Sequence, residues 1–219
     1  MKKEPGPPTL IFALAFTALC SGVFLSVVYA GTLPMIRANQ AEAIRKAIFQ
    51  VLPNTASFEI YEVKDKNLVL YESIGGKMPE GQSIYRGLGK DGEPVGFAVP
   101  YKGPGFQDDI KIIFGYQPEI ETIVGMRVLE SRETPGLGDK IEKDQSFVAN
   151  FDQLIVSPEV IANKKGKRTK LNQVDTISGA TISSVAIIKI INTSIEEYKP
   201  IIGQFQDSNQ NVKSEGGDQ

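Results

Sequence analysis

The sequence predicts an α+β fold, in which a twisted, mostly antiparallel sheet packs with helices and is preceded by one N-terminal transmembrane helix. Three observations lead to this fold class. An almost wholly apolar run extends from Leu10 to Ala30. The strand-like runs that follow stand together between predicted helices, instead of alternating with helices as in a doubly wound sheet. The length of 219 residues suits one domain with an appendage.

The apolar run is predicted to be an uncleaved membrane anchor. No charged residue occurs between Glu4 and Arg37, and residues 10–30 would span about 31 Å as a helix, close to the roughly 30 Å of a bilayer's hydrocarbon core. A cleaved signal peptide ending at Ala30 is the alternative, but the run is longer than a usual signal segment. We therefore expect a short tail over 1–9 and an anchor over 10–30 that contacts membrane lipid.

The soluble part is predicted over 37–203. It begins with a short amphipathic helix over 41–52, because apolar residues recur there at helical spacing before Pro53. Six runs typical of strands follow, and the polar residues 64–67 join the first two as a hairpin with a four-residue loop. The predicted strands are 57–63, 68–71, 83–87, 95–99, 110–116 and 120–129.

Two further helices complete the predicted domain. A short helix is expected over 145–151, and a basic stretch over 164–170 is typical of a solvated loop. The final helix is expected over 179–198, where Pro200 closes it, and its nearly all-round apolar surface predicts a core helix. Residues 204–219 lack periodicity and are predicted to form a disordered tail.

The composition excludes several classes of function. Lys and Arg total 24 against 26 Asp and Glu, so the chain lacks the basic excess of nucleic-acid-binding proteins, and no nucleic-acid partner is expected. Histidine is absent and Cys20 is the single cysteine. This excludes histidine-based catalytic triads, iron–sulfur clusters, histidine- or cysteine-ligated metal sites and an intrachain disulfide. Any redox chemistry therefore needs an organic cofactor.

The segment that opens the final helix is the first candidate site. Residues 175–184 read Asp-Thr-Ile-Ser-Gly-Ala-Thr-Ile-Ser-Ser, which places hydroxyl groups and two small residues at the helix start. With Ser178 as the N-cap, unpaired N–H groups lie around Gly179, Ala180 and Thr181, where the helix dipole favours an anion such as phosphate. An ordinary capped helix with small packing residues is the other interpretation.

A second segment follows the last predicted strand. Residues 133–138 read Glu-Thr-Pro-Gly-Leu-Gly, and Pro-Gly is typical of the centre of a type II turn, in which the glycine supplies a positive φ. The pattern by itself predicts a tight loop and assigns it no function.

The first segment resembles the flavinylation motif of the FMN-binding domain family, D-x-x-[ST]-G-A-T, and matches it in full. In that family the final threonine is esterified to the phosphate of FMN by a dedicated flavin transferase that uses FAD. The resemblance therefore implies covalent FMN on Thr181, a nearby phosphate site, and an assisting or orienting role for Asp175. The cofactor-binding residues implied here are Thr181, Ser178, Gly179, Ala180, Asp175 and Ser183.

The second segment resembles the E-T-P-G-L-G signature of the FMN-binding subunits of Rnf and Na⁺-translocating NADH:quinone reductase complexes, where it lies beside the flavin. The family often has a histidine two residues before the glutamate, where this chain has Ser131. The turn at 103–106 also resembles a glycine-rich turn of the family. The flavin contacts implied by the signature are Glu133, Thr134, Gly136 and Leu137.

Together the resemblances imply a membrane-anchored electron-transfer subunit that carries covalent FMN in an ion-translocating ferredoxin:NAD⁺ oxidoreductase (Rnf) complex. They imply that this subunit does not catalyse the reaction alone and that its partners are the other membrane subunits of the complex. The compact length favours the G subunit of that complex over the C subunit of the quinone reductase. The quinone reductase subunit, an extracytoplasmic flavin-domain sensor and an assembly factor remain alternatives. The flanking charges do not decide the orientation of the anchor, but the resemblance implies a soluble domain on the periplasmic or extracytoplasmic side of the cell (inner) membrane.

Overall fold

The computed structural model describes residues 6–72, 79 and 81–215, with side chains through Ser208. The chain divides into two compact units, residues 1–42 and 43–219. Its helices are α1 (Pro7–Val51), α2 (Lys140–Lys143), α3 (Gln145–Val148) and α4 (Thr181–Glu215), with 3₁₀ turns at Pro118–Ile120 and Ala149–Phe151. Its strands are β1 (Ser57–Lys64), β2 (Asn67–Leu70), β3 (Ser83–Leu88), β4 (Pro94–Pro104), β5 (Asp109–Gln117), β6 (Thr122–Glu130), β7 (Leu154–Ile155), β8 (Ile161–Asn163) and β9 (Gln173–Asp175).

Helix α1 runs without interruption for 45 residues. It contains an 18-residue window of mean hydropathy 2.3 with none of it buried, and within the described ranges it is the one helix long and apolar enough to cross a membrane. The separate helix predicted over 41–52 is instead the end of α1. Pro34 lies inside α1, where it removes one backbone hydrogen bond without ending the helix. Of the tail expected over 1–9, residues 1–5 lie outside the described residues and Pro7 is already helical.

The main sheet confirms the predicted α+β class. Its seven strands follow the order β2-β1-β3-β4-β5-β6-β7, and all neighbouring pairs are antiparallel. The six predicted strands are present, and five of them shift by only one or two residues at their ends. Strand β4 is the exception, because it runs to Pro104 and so includes the first two residues of the turn expected at 103–106. The four-residue hairpin loop is wrong, because Lys64 pairs with Asn67 and only Asp65 and Lys66, both with positive φ, form the turn. Two residues with positive φ match the twist of the flanking strands.

The two faces of the sheet are covered by different helices. On β5, Ile112 and Phe114 belong to the core cluster that contains Ile187 and Ile191 of α4. Ile113 points to the other face, where it joins the cluster formed with the last residues of α1 and Leu52. The alternation of side chains along the strand therefore places α4 on one face and the end of α1 on the other.

Helix α4 continues past Pro200 and ends at Glu215, so the predicted end near Tyr198 is wrong. The residues beyond the proline still bury apolar surface: Ile202 is almost fully buried, and the ring of Phe205 lies 4.8 Å from that of Tyr61. This packing outweighs the hydrogen bond that Pro200 cannot make. Residues 204–215, expected to be disordered, are helical, and 216–219 lie outside the described residues.

Among the short elements between β6 and α4, helix α2 and strands β7, β8 and β9 were not predicted from the sequence. Strands β8 and β9 pair in parallel, with Asn163 opposite Asp175, and they flank the basic stretch at 164–170. The short helix expected over 145–151 is present as α3 and the 3₁₀ turn that follows it. Because β9 leads directly into the segment before α4, this small layer determines where the first candidate site lies.

Candidate functional site

The segment between β9 and α4 is a tight turn. The N–H of Ala180 donates to the carbonyl oxygen of Ile177 at 3.0 Å, and Gly179, the third residue of this turn, has φ +83°. A positive φ at the third position is the mark of a type II turn and favours glycine. Ser178 is therefore not the N-cap of α4 as expected, because the non-helical Gly179 delays the helix to Thr181.

Thr181 is the first residue of α4 and is exposed. Its hydroxyl donates to the carbonyl oxygen of Ile177 at 3.3 Å. The first backbone hydrogen bond of the helix runs from Ser184 to Ala180, at 2.9 Å. The N–H groups of residues 181–183 precede it and form the positive end of a 35-residue helix.

The turn before Thr181 is exposed to solvent on one side and packed against the core on the other. A Cβ atom at Gly179 would meet nothing within 4 Å, and Ser178 is exposed, whereas Ala180 is 4% exposed and packs in the core. Ser184, a residue that the sequence did not single out, holds the turn from below. Its hydroxyl donates to Ala180 at 2.8 Å and accepts from the N–H of Ile177 at 3.1 Å.

The loop at 134–138 forms the second part of the site. The N–H of Leu137 donates to the carbonyl oxygen of Thr134 at 3.1 Å, and Gly136 has φ +77°. The type II turn predicted from Pro135 and Gly136 is therefore confirmed. The hydroxyl of Thr134 donates to the side-chain oxygen of Gln107 at 2.9 Å, which joins this loop to the turn between β4 and β5.

Glu133 lies at the junction of the loop, the β4–β5 turn and α4, and it is 5% exposed. Its Oε1 accepts from the N–H groups of Phe106 at 2.8 Å and Gln107 at 3.0 Å. Its Oε2 accepts from the hydroxyl of Ser183 at 2.5 Å. Burial alone would raise the pKa of the Glu133 carboxyl, but hydrogen bonds from Ser183 and from the backbone at 106–108 outweigh it and hold the pKa below its ordinary value.

Two glycines leave the space that the Glu133 carboxylate occupies. A Cβ at Gly105 would lie 2.6 Å from Glu133 Oε1, and a Cβ at Gly138 would lie 2.7 Å from Oε2 and 3.0 Å from the Ser183 hydroxyl. The glycine-rich turn near residue 105, the loop at 134–138 and the start of α4 are thus brought together around one carboxylate.

Asp175 does not share these contacts. Its carboxylate accepts from the N–H groups of Gly166 at 2.9 Å, Lys167 at 3.2 Å and Arg168 at 2.9 Å. The Asp175 carboxylate therefore holds the basic stretch against β9. It makes no hydrogen bond to the hydroxyl of Thr181, although the resemblance implied that Asp175 assists attachment or orients that threonine.

Three large apolar side chains are exposed next to the residues joined by Glu133. Phe106 is 63% exposed, Leu137 52% and Ile182 60%. Leu137 was expected at the site. Ile182 is an exception to the burial predicted for the final helix, because it lies in the first turn of α4 and faces solvent. Phe106 carried no signal beyond its glycine-rich turn. Exposed apolar groups beside the positive end of a helix suit an amphipathic ligand with a negative group.

Comparison with protein families gives a match to the FMN-binding domain over residues 105–196. The matched range begins at the β4–β5 turn and includes the 134–138 loop and the first half of α4, so it contains all three segments that meet at Glu133.

Curated relatives extend the match over most of the chain. The G subunit of an ion-translocating oxidoreductase complex from Methanosarcina acetivorans is 30% identical over 192 residues, 85% of this chain and 92% of the relative. The G subunit of a Na⁺-translocating ferredoxin:NAD⁺ oxidoreductase complex from Acetobacterium woodii is 30% identical, over 87% of this chain and 89% of the relative. A further G subunit, from Shewanella piezotolerans, is 31% identical, over 91% and 93%.

Solved structures agree in fold. Shewanella oneidensis NqrC aligns with a TM-score of 0.53 at 15% identity, covering 71% of this chain and 86% of that chain. The C subunit of the Na⁺-translocating NADH-quinone reductase from Parabacteroides distasonis aligns with a TM-score of 0.53 at 21% identity, covering 74% and 92%.

The long apolar helix and the similarity to subunits of ion-translocating complexes make this a membrane-anchored protein. With at least 30% identity over nearly the whole of its relatives and a matching FMN-binding domain, the chain belongs to the family of ion-translocating oxidoreductase complex G subunits.

Proposed function

We propose that this chain is the electron-transfer subunit of an ion-translocating ferredoxin:NAD⁺ oxidoreductase and carries FMN as a phosphoester on Thr181. The proposed FMN-binding domain extends over 37–203 and follows the anchor at 10–30. The observation that carries the proposal is the exposed Thr181 hydroxyl at the start of a long helix, within the segments held together by Glu133.

The residues around Thr181 suit a phosphate group. The N–H groups of residues 181–183 supply donors at the positive end of α4, and the open space over Gly179 lets a phosphate approach the backbone. The exposed Ser178 adds a hydroxyl at the rim. Attachment from FAD by a flavin transferase would exchange the Thr181 Oγ–H bond for a bond to the FMN phosphorus and release AMP and a proton.

The neighbouring loop suits the flavin ring. Leu137, Phe106 and Ile182 offer exposed apolar surface, and the backbone of the turn at Gly136, with the hydroxyl of Thr134, offers polar contacts at its edge. When bound, FMN supplies the electron-accepting and electron-donating chemistry. The chain itself contributes attachment, orientation and exclusion of water from one side of the ring.

The composition supports a role inside a complex. The sequence contains no histidine and one cysteine, so other subunits must provide the centres that exchange electrons with the flavin. The G subunits are 30–31% identical to this chain, whereas the solved NADH-quinone reductase C subunits are 15% and 21% identical and resemble it in fold. The higher identity favours the ferredoxin:NAD⁺ oxidoreductase complex. We also propose that the soluble domain lies on the extracytoplasmic side of the membrane. A long domain that follows a single uncleaved anchor can be exported largely regardless of the flanking charges.

The experiment compares wild type, Thr181→Ala and the matched control Thr169→Ala, an exposed threonine outside the motif. Each full chain is expressed with a flavin transferase, denatured and weighed intact. We expect wild type and Thr169→Ala to carry one FMN less one water and Thr181→Ala to carry none. Flavin that survives denaturation on Thr181→Ala would contradict the attachment site.

A further inference from the structure

The hydrogen-bonding capacity of Glu133 is directed into the protein. Both carboxylate oxygens have partners within the fold: two backbone N–H groups on Oε1 and the Ser183 hydroxyl on Oε2. Glu133 and Ser183 are 5% and 3% exposed. A carboxylate that is buried and satisfied in this way has little surface left for a ligand.

The contacts of Glu133 join segments that are distant in sequence. Ser183 lies 50 residues away and Phe106 lies 27 residues away. The absent side chains at Gly105 and Gly138 allow this close approach, since a Cβ at either position would lie under 3 Å from a Glu133 oxygen. The arrangement is therefore built around the carboxylate and does not arise from a chance surface contact.

Resting on the function proposed above, we infer that Glu133 is a positioning residue and not a flavin ligand. Its carboxylate holds the 134–138 loop and the β4–β5 turn against the first turn of α4. It thereby determines the position of the loop relative to Thr181. Ser183 is the link to the helix in this arrangement. The same carboxylate places a fixed negative charge at the junction of the three segments.

Two physical consequences follow from this role. First, the hydrogen bonds from Phe106, Gln107 and Ser183 to the Glu133 carboxylate do not depend on flavin, because their donors belong to the protein. Second, with flavin present, a buried negative charge opposes the addition of an electron to a group nearby, so removing the charge raises the midpoint potential of that group. If Glu133 merely stabilised the fold, replacing it would reduce amide protection throughout the domain and not only at Phe106 and Gln107. Such a replacement would also leave the midpoint potential of the flavin unchanged.

The first test uses protein that cannot carry covalent flavin, the full-length Thr181→Ala chain. We measure hydrogen exchange at the amides of Phe106 and Gln107 in this background, and again after adding Glu133→Gln or Ser183→Ala. Loss of the charged acceptor in Glu133→Gln should speed exchange at both amides by roughly tenfold while distant strands stay protected. Unchanged exchange at both amides would overturn the inference, whatever the outcome for FMN.

The second test uses flavinylated protein. Glu133→Gln keeps an oxygen for the two N–H groups and an amide that can donate to Ser183, so it should fold and retain covalent FMN. Its midpoint potential should be higher than that of wild type, whereas the control Glu130→Gln, an exposed glutamate three positions away, should leave the potential unchanged. Ser183→Ala keeps the charge and should alter the circular dichroism of the bound flavin more than its potential.

The outcomes separate this inference from the proposed function. Absence of covalent flavin on wild type would refute the attachment while the exchange measurement still decides the role of Glu133. Covalent flavin with the same potential in Glu133→Gln and Glu130→Gln would overturn the role of Glu133 and leave the attachment to Thr181 standing.

Discussion

Gly179 decides where α4 begins. Its φ of +83° closes the turn between Ile177 and Ala180 and delays the helix to Thr181, so the threonine hydroxyl stands at the first position of the helix. A serine N-cap at 178 would have begun the helix two residues earlier and placed Thr181 inside it. One residue in a left-handed conformation thus sets the exposure of the proposed attachment residue.

Substitution of this glycine tests that account. Gly179→Ala should destabilise the protein by about 1–2 kcal/mol, because an L residue at a left-handed φ carries that cost while its Cβ would meet no atom within 4 Å. The control Gly203→Ala, in the interior of α4 with equally open space, should stabilise it by about 0.5–1 kcal/mol. Denaturant unfolding of both variants measures the difference, and equal stabilities would contradict the turn geometry.

At the same scale, the sequence indicated the candidate segments but not the contacts that their side chains make. Thr181, Gly136 and Leu137 are exposed where a ligand could meet them. Asp175 instead holds the basic stretch, and Ser183 is bonded to Glu133. Such pairings join residues up to 50 positions apart, and no spacing rule within one segment can predict them.

At the scale of elements, local patterns predicted the long strands, and tertiary packing decided the rest. Strands β8 and β9 have three residues each, too few for alternation to be recognised. Pro200 predicted the end of α4, but the helix continues because Phe205 packs against Tyr61 and Phe97. The stability gained from that packing depends on strands β1 and β4, which lie more than a hundred positions before Phe205 in the sequence.

The 134–138 loop gives the element-scale prediction. Gly136→Val should strain the turn, because a β-branched residue is strongly disfavoured at φ +77°, and should disturb the absorbance or midpoint potential of the flavin without removing its covalent attachment. Pro135→Ala, which leaves the glycine in place, is the matched control. An unchanged spectrum and potential in folded Gly136→Val would refute the contact between this loop and the flavin.

At the scale of the whole molecule, residues 1–42, which include the apolar part of α1, form one compact unit and residues 43–219 form the other. The described part of the chain has one helix suited to cross a membrane, and the sequence predicted that helix from length and hydropathy alone. Export determines the side of the membrane on which the domain lies, and we propose the extracytoplasmic side.

A single cysteine at an exposed position can report the side. Ser208→Cys is placed in a Cys20→Ser background, since Ser208 is exposed on α4 and Cys20 is the only natural thiol. An impermeant thiol reagent should label the variant in intact cells, because an exported domain presents it outside the membrane. Labelling that occurs only after lysis would show the opposite topology.

The covalent bond to Thr181 is tested most directly by fragmentation of one peptide. Trypsin releases residues 171–189, which contain the hydroxyl residues Thr176, Ser178, Thr181, Ser183 and Ser184. Thr176, Ser183 and Ser184 are buried, so exposure leaves Ser178 and Thr181 as candidates. Tandem mass spectrometry of this peptide from flavinylated protein should locate the FMN phosphoester on Thr181. Its location on Ser178 or any other residue, or its absence from the peptide, would contradict the account.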